Sequence, residues 1–307
     1  MIRFILNPAA KSWHAGSCMK AISQALEQAG ISHEVRETTH PGHIAQLAGE
    51  LSQLDTDMLG VVGGDGTLNE LAAGPVESYP PVFYVPYGSG NDFARGIGLP
   101  INAKNAPSLA VDHSSLSPRA VDIGLAQVPG RADRRFMVSG GIGFDAAVCA
   151  DMLKGKLKKR LNRLKLGFLT YFFYGIKNML FCPLVGGTLT LDGGKKVLEF
   201  KNMAFLSAHN LPYEGGGFYF APKALPGDGQ LDLCLITARN HFRFILCLAA
   251  SVFKGRHIKM KGVHYLRCQK AELQLDQALW MHTDGELGEK TDRIVFQTAD
   301  IKISIMQ

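Results

Sequence analysis

Gly63-Gly64-Asp65-Gly66-Thr67-Leu68-Asn69-Glu70 follows the apolar run Met58 to Val62 and opens a stretch with helical spacing. A glycine-rich turn between strand and helix leaves the backbone N–H groups of the helix start facing outward, with no side chains between them and an anion. The glycines permit that close approach. The spacing is neither the Walker pattern, which needs Lys-Ser/Thr after its second glycine, nor GxGxxG. Asp65 inside an anion-binding turn repels phosphate unless a cation intervenes, so the turn points to Mg²⁺ as well as to phosphate. A second loop, Pro86-Tyr87-Gly88-Ser89-Gly90-Asn91-Asp92-Phe93-Ala94-Arg95, ends the next apolar run, Val82 to Val85. Two such loops on neighbouring strands can enclose one nucleotide. The alternative use of Ser89, Asn91 and Asp92 is as helix caps.

Outward from these loops, strand and helix alternate. Ile2 to Leu6 reads as a strand stopped at Asn7-Pro8. Met19, Ile22 and Leu26 mark a helix over Cys18 to Ala29 that Gly30 stops. A strand at Ser32 to Glu37 and a helix at Ile44 to Leu54 follow, and another helix begins at Leu68. The pattern predicts a doubly wound α/β domain with a parallel sheet, in which ligands bind beyond the carboxyl ends of the strands. After about Val121 the texture changes to strands joined by turns: Phe136 to Ser139, Thr188 to Leu191, Met203 to Ala208, Gln230 to Ile236, Ala271 to Leu275 and Ile294 to Gln297. Their period-2 pattern predicts an antiparallel β domain, interrupted by a helical region from Leu153 to Met179. A length of 307 residues accommodates two such domains.

Composition is that of an ordinary globular chain, 46% hydrophobic and 20% charged. Cys18, Cys149, Cys182, Cys234, Cys247 and Cys268 are scattered, with no CxxC pair, which reads as reduced thiols in a cytoplasmic protein. The first residues lack a secretory signal. Leu166 to Val185 is interrupted by Lys177, Asn178 and Pro183, and Phe242 to Phe253 is shorter than the roughly 20 residues a spanning helix needs, so no transmembrane span is expected. Seven basic residues and no acid lie between Lys154 and Lys165, with Leu153, Leu157, Leu161 and Leu164 among them at helical spacing. This reads as an amphipathic basic helix, either docked on anionic lipid or packed on the protein with a solvated basic face. Aromatic residues are not interleaved with this charge, so a nucleic-acid partner is not expected.

Together the GGDGT-x-NE and GS-x-NDF-A motifs resemble the nucleotide-binding loops of the diacylglycerol kinase catalytic domain, in the soluble bacterial lipid kinase branch that is similar to sphingosine and ceramide kinases. NAD kinases and phosphofructokinases are more distant relatives. Further matches extend over nearly the whole chain. Asn7-Pro8-Ala9-Ala10 resembles the family's first-strand motif, although Lys11-Ser12-Trp13-His14 replaces its glycine-rich continuation. Thr38-Thr39-His40-Pro41-Gly42 resembles the element whose threonine, here Thr38, lies near the nucleotide. The resemblance thus implies ATP held by Asn7, Thr38, Gly63, Gly64, Asp65, Gly66, Thr67, Asn69, Glu70, Gly88, Ser89 and Asn91.

The resemblance also implies metal and acid–base roles. Asp122, in Val121-Asp122-Ile123-Gly124, would join Asp65 and Asp92 around a catalytic Mg²⁺ and its waters. In Leu225-Pro226-Gly227-Asp228-Gly229-Gln230, the Asp228 carboxylate and the carbonyls of Leu225 and Gln230 would hold a structural Mg²⁺; a metal-free Asp-Gly hairpin turn is the alternative. Gly215-Gly216-Gly217-Phe218 matches a triple-glycine segment near the cleft, and Ser139 to Ala146 matches a domain-entry motif. His282-Thr283-Asp284-Gly285-Glu286 resembles the Asp-Gly-Glu motif, which marks Asp284 and Glu286 as catalytic beside Asp65, with Glu286 as the base and His282 read as a surface histidine. The tail Ile301 to Ile305 resembles the strand that returns to the first domain. The expected organisation is residues 1–126 plus 293–307 as an α/β nucleotide-binding domain and residues 127–292 as an antiparallel β-sandwich.

The activity so implied is ATP- and Mg²⁺-dependent phosphorylation of a lipid hydroxyl, with diacylglycerol first and sphingoid bases, ceramide, monoacylglycerol or phosphatidylglycerol as alternatives. Peripheral contact with the inner membrane face and a homodimer are the expected partners besides ATP and lipid. An NAD kinase shares the GGDG element but not the second loop or the Asp-Gly-Glu. A silent nucleotide sensor would need a broken motif, whereas Asp65, Asp92 and Glu286 are all present.

Overall fold

In the computed structural model, which describes residues 1–10, 14–154, 168–253 and 255–307, four parallel strands form the first unit. Strand β1 (Ile2–Leu6) lies between β2 (His33–Glu37) and β3 (Met58–Gly63), and β4 (Val82–Pro86) pairs with β3. Their near-continuous apolar sequences follow from burial on both faces. Phe4, Leu6, Phe83 and Val85 pack against helix α1 (Ala15–Gln28). The alternate residues Ile5, Val61 and Tyr84 pack against α2 (His43–Ser52) and α3 (Asp65–Ala72). Gly60 has no side chain because the ring of Phe4 fills its place; a Cβ there would lie 2.0 Å from it. Two short helices, α4 (Asp92–Ile97) and α5 (Ala106–Val111), complete this layer.

The chain then enters antiparallel structure through β5 (Pro118–Gln127), β6 (Arg134–Phe136) and β7 (Ser139–Gly143), passes through helices α6 (Phe144–Lys154) and α7 (Phe168–Phe181), and continues with β8 (Val185–Leu191), β9 (Lys196–His209) and β10 (Leu231–Thr237). Helix α8 (His241–Val252), β11 (Val263–Cys268), β12 (Lys270–Thr283) and β13 (Glu286–Met306) finish it. Long strands make the sandwich: β12 pairs with β8 along Ala271–Leu275 and with β7 along Met281–Thr283, while β9 also reaches both partners. Irregularities between Gln274 and Leu279, and near Asn202 at φ +58°, turn the strands from one layer to the other. Phe136, Leu206, Leu233, Met281 and Phe296 fill the core between the layers.

The expected strand Phe136 to Ser139 is broken: β6 ends at Phe136 and β7 starts at Ser139. Asp122, expected as a metal ligand, lies in the middle of β5 and faces Lys302 in the β13 register. The tail does return, since Ile305 pairs with Val82 in parallel while β13 also pairs with β5 and β12. Residue 293 falls inside that strand, which runs through both units. Of the expected basic helix, Leu157, Leu161 and Leu164 lie outside the described residues, as do Lys11, Ser12 and Trp13. Among the described residues no helix is long and apolar enough to cross a membrane, and all six cysteines are free.

Candidate active site

Asn7, Thr38, the Gly63 turn and the Gly88 loop all stand at the carboxyl ends of the four parallel strands, where a doubly wound sheet binds ligands. The Asn7 Nδ2 donates to Thr67 Oγ1 at 3.1 Å, tying β1 to the start of α3. Thr38 is fixed by its N–H to the Leu6 carbonyl. The two glycine loops touch backbone to backbone: a Cβ on Gly88 would lie 2.7 Å from Gly64 Cα, and the Tyr87 N–H donates to the Gly63 carbonyl at 2.7 Å. Gly66 and Ser89 are exposed at the mouth, and nothing stands within 4 Å of a Cβ added at Gly66.

Not every residue of the two motifs faces that mouth. Asn91 adopts φ +51° and its Oδ1 accepts the Gly88 N–H at 2.8 Å, so it shapes the second loop. Glu70 accepts the N–H of Gly42, just before α2. Asn69 is buried and points toward the second unit, donating to the Arg135 carbonyl and, at 3.0 Å, to Asp284 Oδ2. Glu70 and Asn69 thus hold the framework around the expected nucleotide.

Asp65 accepts the N–H groups of Asp92 and Phe93, at 3.0 and 3.1 Å, at the start of α4. Asp92 is 6% exposed; its carboxylate pairs with Arg95 at 2.5 Å and accepts the Gly216 N–H at 2.6 Å. Burial raises its proton affinity above the ordinary carboxylate range, the Gly216 N–H opposes this, and the charge of Asp65 raises it further. Two carboxylates that repel each other beside Gly90 form a hard oxygen donor set suited to a hydrated divalent cation. Asp65, Asp92 and Asp122 do not form a group with ligand atoms within 4.8 Å of one another. Asp122 is 2% exposed, 2.9 Å from Lys302 Nζ, and accepts the Gly229 N–H at 2.7 Å.

In the Leu225 to Gln230 loop, Asp228 accepts the Gln230 N–H and pairs with Arg267, while Lys302 donates to the Gly227 carbonyl at 2.9 Å. Two side-chain cations of the protein therefore already neutralise this loop. Sequence reading misses both, because their position depends on strand register.

The Asp-Gly-Glu motif forms the turn between β12 and β13, with Asp284 at φ +48° and Gly285 at φ +82°. The Asp284 carboxylate clamps the backbone around it. Its two oxygens accept the N–H groups of Met137, Val138 and Ser139 at 2.7 to 2.9 Å, besides Asn69. Those N–H groups lie where the expected strand breaks, so the carboxylate supplies the partner that a neighbouring strand does not. Burial pushes its carboxyl up to about 6, against the donors that pull it down. Glu286 is exposed beyond the turn, and Arg134 holds its backbone carbonyl at 3.2 Å. His282, expected at the surface, is instead buried.

The sequence pattern described as "Diacylglycerol kinase catalytic domain" matches residues 1–126, and that described as "YegS C-terminal NAD kinase beta sandwich-like domain" matches residues 142–299. A protein of Chromohalobacter salexigens named "Probable lipid kinase YegS-like" is 30% identical over 270 residues, covering 85% of this chain and 79% of its own. The chain belongs to the YegS-like lipid kinase family. A "Diacylglycerol kinase" of Bacillus subtilis is 28% identical over 290 residues, covering 93% and 89% of the two chains. A crystal structure of a diacylglycerol kinase from Bacillus anthracis shares the fold, with a TM-score of 0.72 at 22% identity over 98% of this chain and 96% of that one. The YegS-like chain thus has the family's two-part architecture, an α/β unit followed by a β-sandwich.

Proposed function

We propose that this protein transfers the γ-phosphate of ATP to a lipid hydroxyl, with diacylglycerol as the acceptor and phosphatidic acid as the product. The observation that carries this reading is the joining of the two halves: Asn69, five residues after Gly64 in the phosphate turn, holds Asp284 of the turn that presents Glu286. This bond ties the turn that carries Glu286 to the helix of the phosphate turn, which supports Glu286 as the base.

In this reading the exposed backbone of Gly64 to Thr67 and of Gly88 to Asn91 receives the phosphates, with Asn7 and Thr38 on the neighbouring strand ends. Glu286 accepts the proton of the acceptor hydroxyl as its oxygen bonds to the γ-phosphorus and the bond to the bridging oxygen breaks, leaving ADP with that electron pair. Mg²⁺, held through Asp65 and Asp92, would supply charge neutralisation on the transferring group. In the second expected site, Asp228 with the Leu225 and Gln230 carbonyls, Mg²⁺ would compete with Arg267 for the carboxylate. The division into residues 1–126 plus 293–307 and 127–292 describes which segments would contribute nucleotide and lipid contacts.

Support for a membrane-borne acceptor comes from an apolar surface. Phe181 and Leu180 of α7 are 76% and 45% exposed, and Phe242 and Leu246 of α8, which packs beside α7, are 69% and 45% exposed. Large exposed apolar groups gathered on adjacent helices suit a lipid surface. The basic run before α7 complements anionic headgroups.

The test is transfer of labelled γ-phosphate from ATP with Mg²⁺ to a panel of lipids in mixed micelles, for native protein, Glu286→Ala and Asp65→Ala. Labelled phosphatidic acid from the native protein, lost by 10²-fold or more in Glu286→Ala, is the expected result. Labelling of NAD and no lipid would replace this reading.

A further inference from the structure

His282 is 1% exposed and sits two residues before Asp284. Its Nδ1 accepts the Gly285 N–H at 3.2 Å. Its Nε2 lies 3.1 Å from Asp145 Oδ2 and 3.4 Å from Glu214 Oε1. A neutral imidazole has one N–H, and the nitrogen that accepts a hydrogen bond is not the one that carries it. The proton therefore belongs on Nε2, between two carboxylates. Gly141 makes this meeting possible, since a Cβ there would stand 2.1 Å from Asp145 Oδ2 and 2.6 Å from the ring nitrogen.

These three side chains bring ligand atoms within 4.8 Å of one another, as a metal site would. A cation on Nε2, however, needs the proton moved to Nδ1, where it would oppose the Gly285 N–H. The geometry fits a held proton better than a held cation.

We propose that His282 is a positioning residue for phosphoryl transfer: its Nδ1 fixes the Asp284-Gly285-Glu286 turn, and the charges of Asp145 and Glu214, close to Nε2 but off the hydrogen-bond line, hold the ring in place. The proposal rests on the lipid kinase reading with Glu286 as base. Both Asp284 and Gly285 have left-handed backbone, and the Gly285 N–H is one of the bonds that shape the turn carrying Glu286.

The groups around the ring come from every element packed on it. Asp145 and Cys149 belong to α6, Glu214 to the segment before the triple glycine, and His209 to β9. Burial raises the Cys149 thiol above its ordinary range, with the charge of His282 opposing and those of Asp145, Glu214 and Glu286 adding to it. Burial keeps His209 below the ordinary imidazole range. For His282 burial acts in the same direction, but Asp145 and Glu214 outweigh it and draw a second proton to the ring more readily than in an exposed histidine. That proton goes to Nδ1 and displaces the Gly285 N–H.

Two measurements test this. The first is a pH titration of His282 ring nitrogens and the Gly285 amide by ¹⁵N NMR, on the full chain without nucleotide. The two are expected to titrate together, with a midpoint above the value of about 6.5 for an exposed histidine, and Asp145→Asn is expected to move both to lower pH. The second is kcat against pH with the lipid that the native enzyme phosphorylates. Its acid limb should fall about tenfold per pH unit below the same midpoint. The limb should shift down in Asp145→Asn and vanish in His282→Asn, whose Oδ1 accepts from Gly285 without titrating, while KM for ATP holds. A Gly285 amide indifferent to the ring, or an acid limb unmoved by Asp145→Asn, overturns the proposal. If the native protein labels no lipid, the kinase reading falls, and the NMR titration alone decides whether His282 holds the turn. If His282→Asn does not fold, Asp145→Asn, which keeps the size of the side chain and removes its charge, carries both measurements.

Discussion

Asn69 and Asp284, 215 residues apart in sequence, are joined by a 3.0 Å hydrogen bond from the Asn69 amide to the Asp284 carboxylate. Asn69 belongs to the helix that follows the phosphate turn and Asp284 to the turn of the proposed base, so this bond spans the cleft. Asn69→Ala should lower kcat on lipid about tenfold or more with a smaller change in KM for ATP, because a misplaced base costs rate rather than nucleotide affinity. Asp284→Ala should also destabilise the fold by about 3 kcal/mol, since three N–H groups of the broken strand lose their acceptor. Denaturant unfolding with parallel kinase assays checks both; equal stability in the native and Asp284→Ala proteins would refute the clamp.

Asp92 is a buried carboxylate whose proton affinity is raised by burial and by Asp65, with Gly216 and Arg95 opposing. A carboxyl raised in the folded state is most favourable to folding at pH below its unfolded value, and that contribution is lost as pH rises through the folded value. Asp92→Asn should therefore melt at or above the native temperature at pH 8, with the difference shrinking as pH falls and native Asp92 takes its proton. Activity should be lost in the same variant. Melting curves across pH in metal-free buffer decide this, and a variant less stable at pH 8 than at pH 5 relative to native protein would count against it.

How much of this was legible beforehand varies with the range of the interaction. The parallel strands, their helices and the two glycine loops are written in local patterns, because strands covered on both faces must be apolar and turns need glycine. The break between Phe136 and Ser139 is not, because its cause is a carboxylate from Asp284, far along the chain. The same holds for Asp122: the resemblance implies a metal ligand, whereas only the β5–β13 register shows Lys302 opposite it. His282 looked like a surface residue for the same reason, since Asp145 and Glu214 come from other elements.

Arg267 on Asp228 predicts how the Leu225 to Gln230 loop responds to metal. In native protein without nucleotide, where the transferring group that calls Mg²⁺ to Asp65 and Asp92 is absent, millimolar Mg²⁺ or EDTA should shift the melting temperature by less than about 1 °C, because the guanidinium holds the Asp228 carboxylate. Arg267→Ala should be less stable in EDTA and regain stability with Mg²⁺, and Asp228→Asn in that background should abolish the gain. Thermal melts with and without metal measure this, and a large EDTA effect on native protein that Asp228→Asn removes would show that Mg²⁺ displaces the arginine.

The exposed apolar faces of α7 and α8 should carry membrane contact. The double change Phe181→Asp and Phe242→Asp should weaken sedimentation with phosphatidylglycerol-containing vesicles at least tenfold, while activity on a water-soluble short-chain acceptor is retained. Unchanged vesicle binding would move the contact elsewhere.

Strand β13 has a consequence for how the protein comes to exist. It begins at Glu286, crosses the sandwich and ends beside Val82 of β4. During synthesis at about 5–20 residues per second, β4 waits on the order of ten seconds or more for this neighbour. Its apolar edge is meanwhile open to pairing with other chains. The strand that completes the nucleotide-binding sheet is also the one that brings in the proposed base, so a nascent chain that can form the ATP loops still lacks the means to spend the nucleotide. Assembly order itself then separates nucleotide capture from turnover, and it makes the interval before β13 arrives the point at which the chain most needs protection from aggregation.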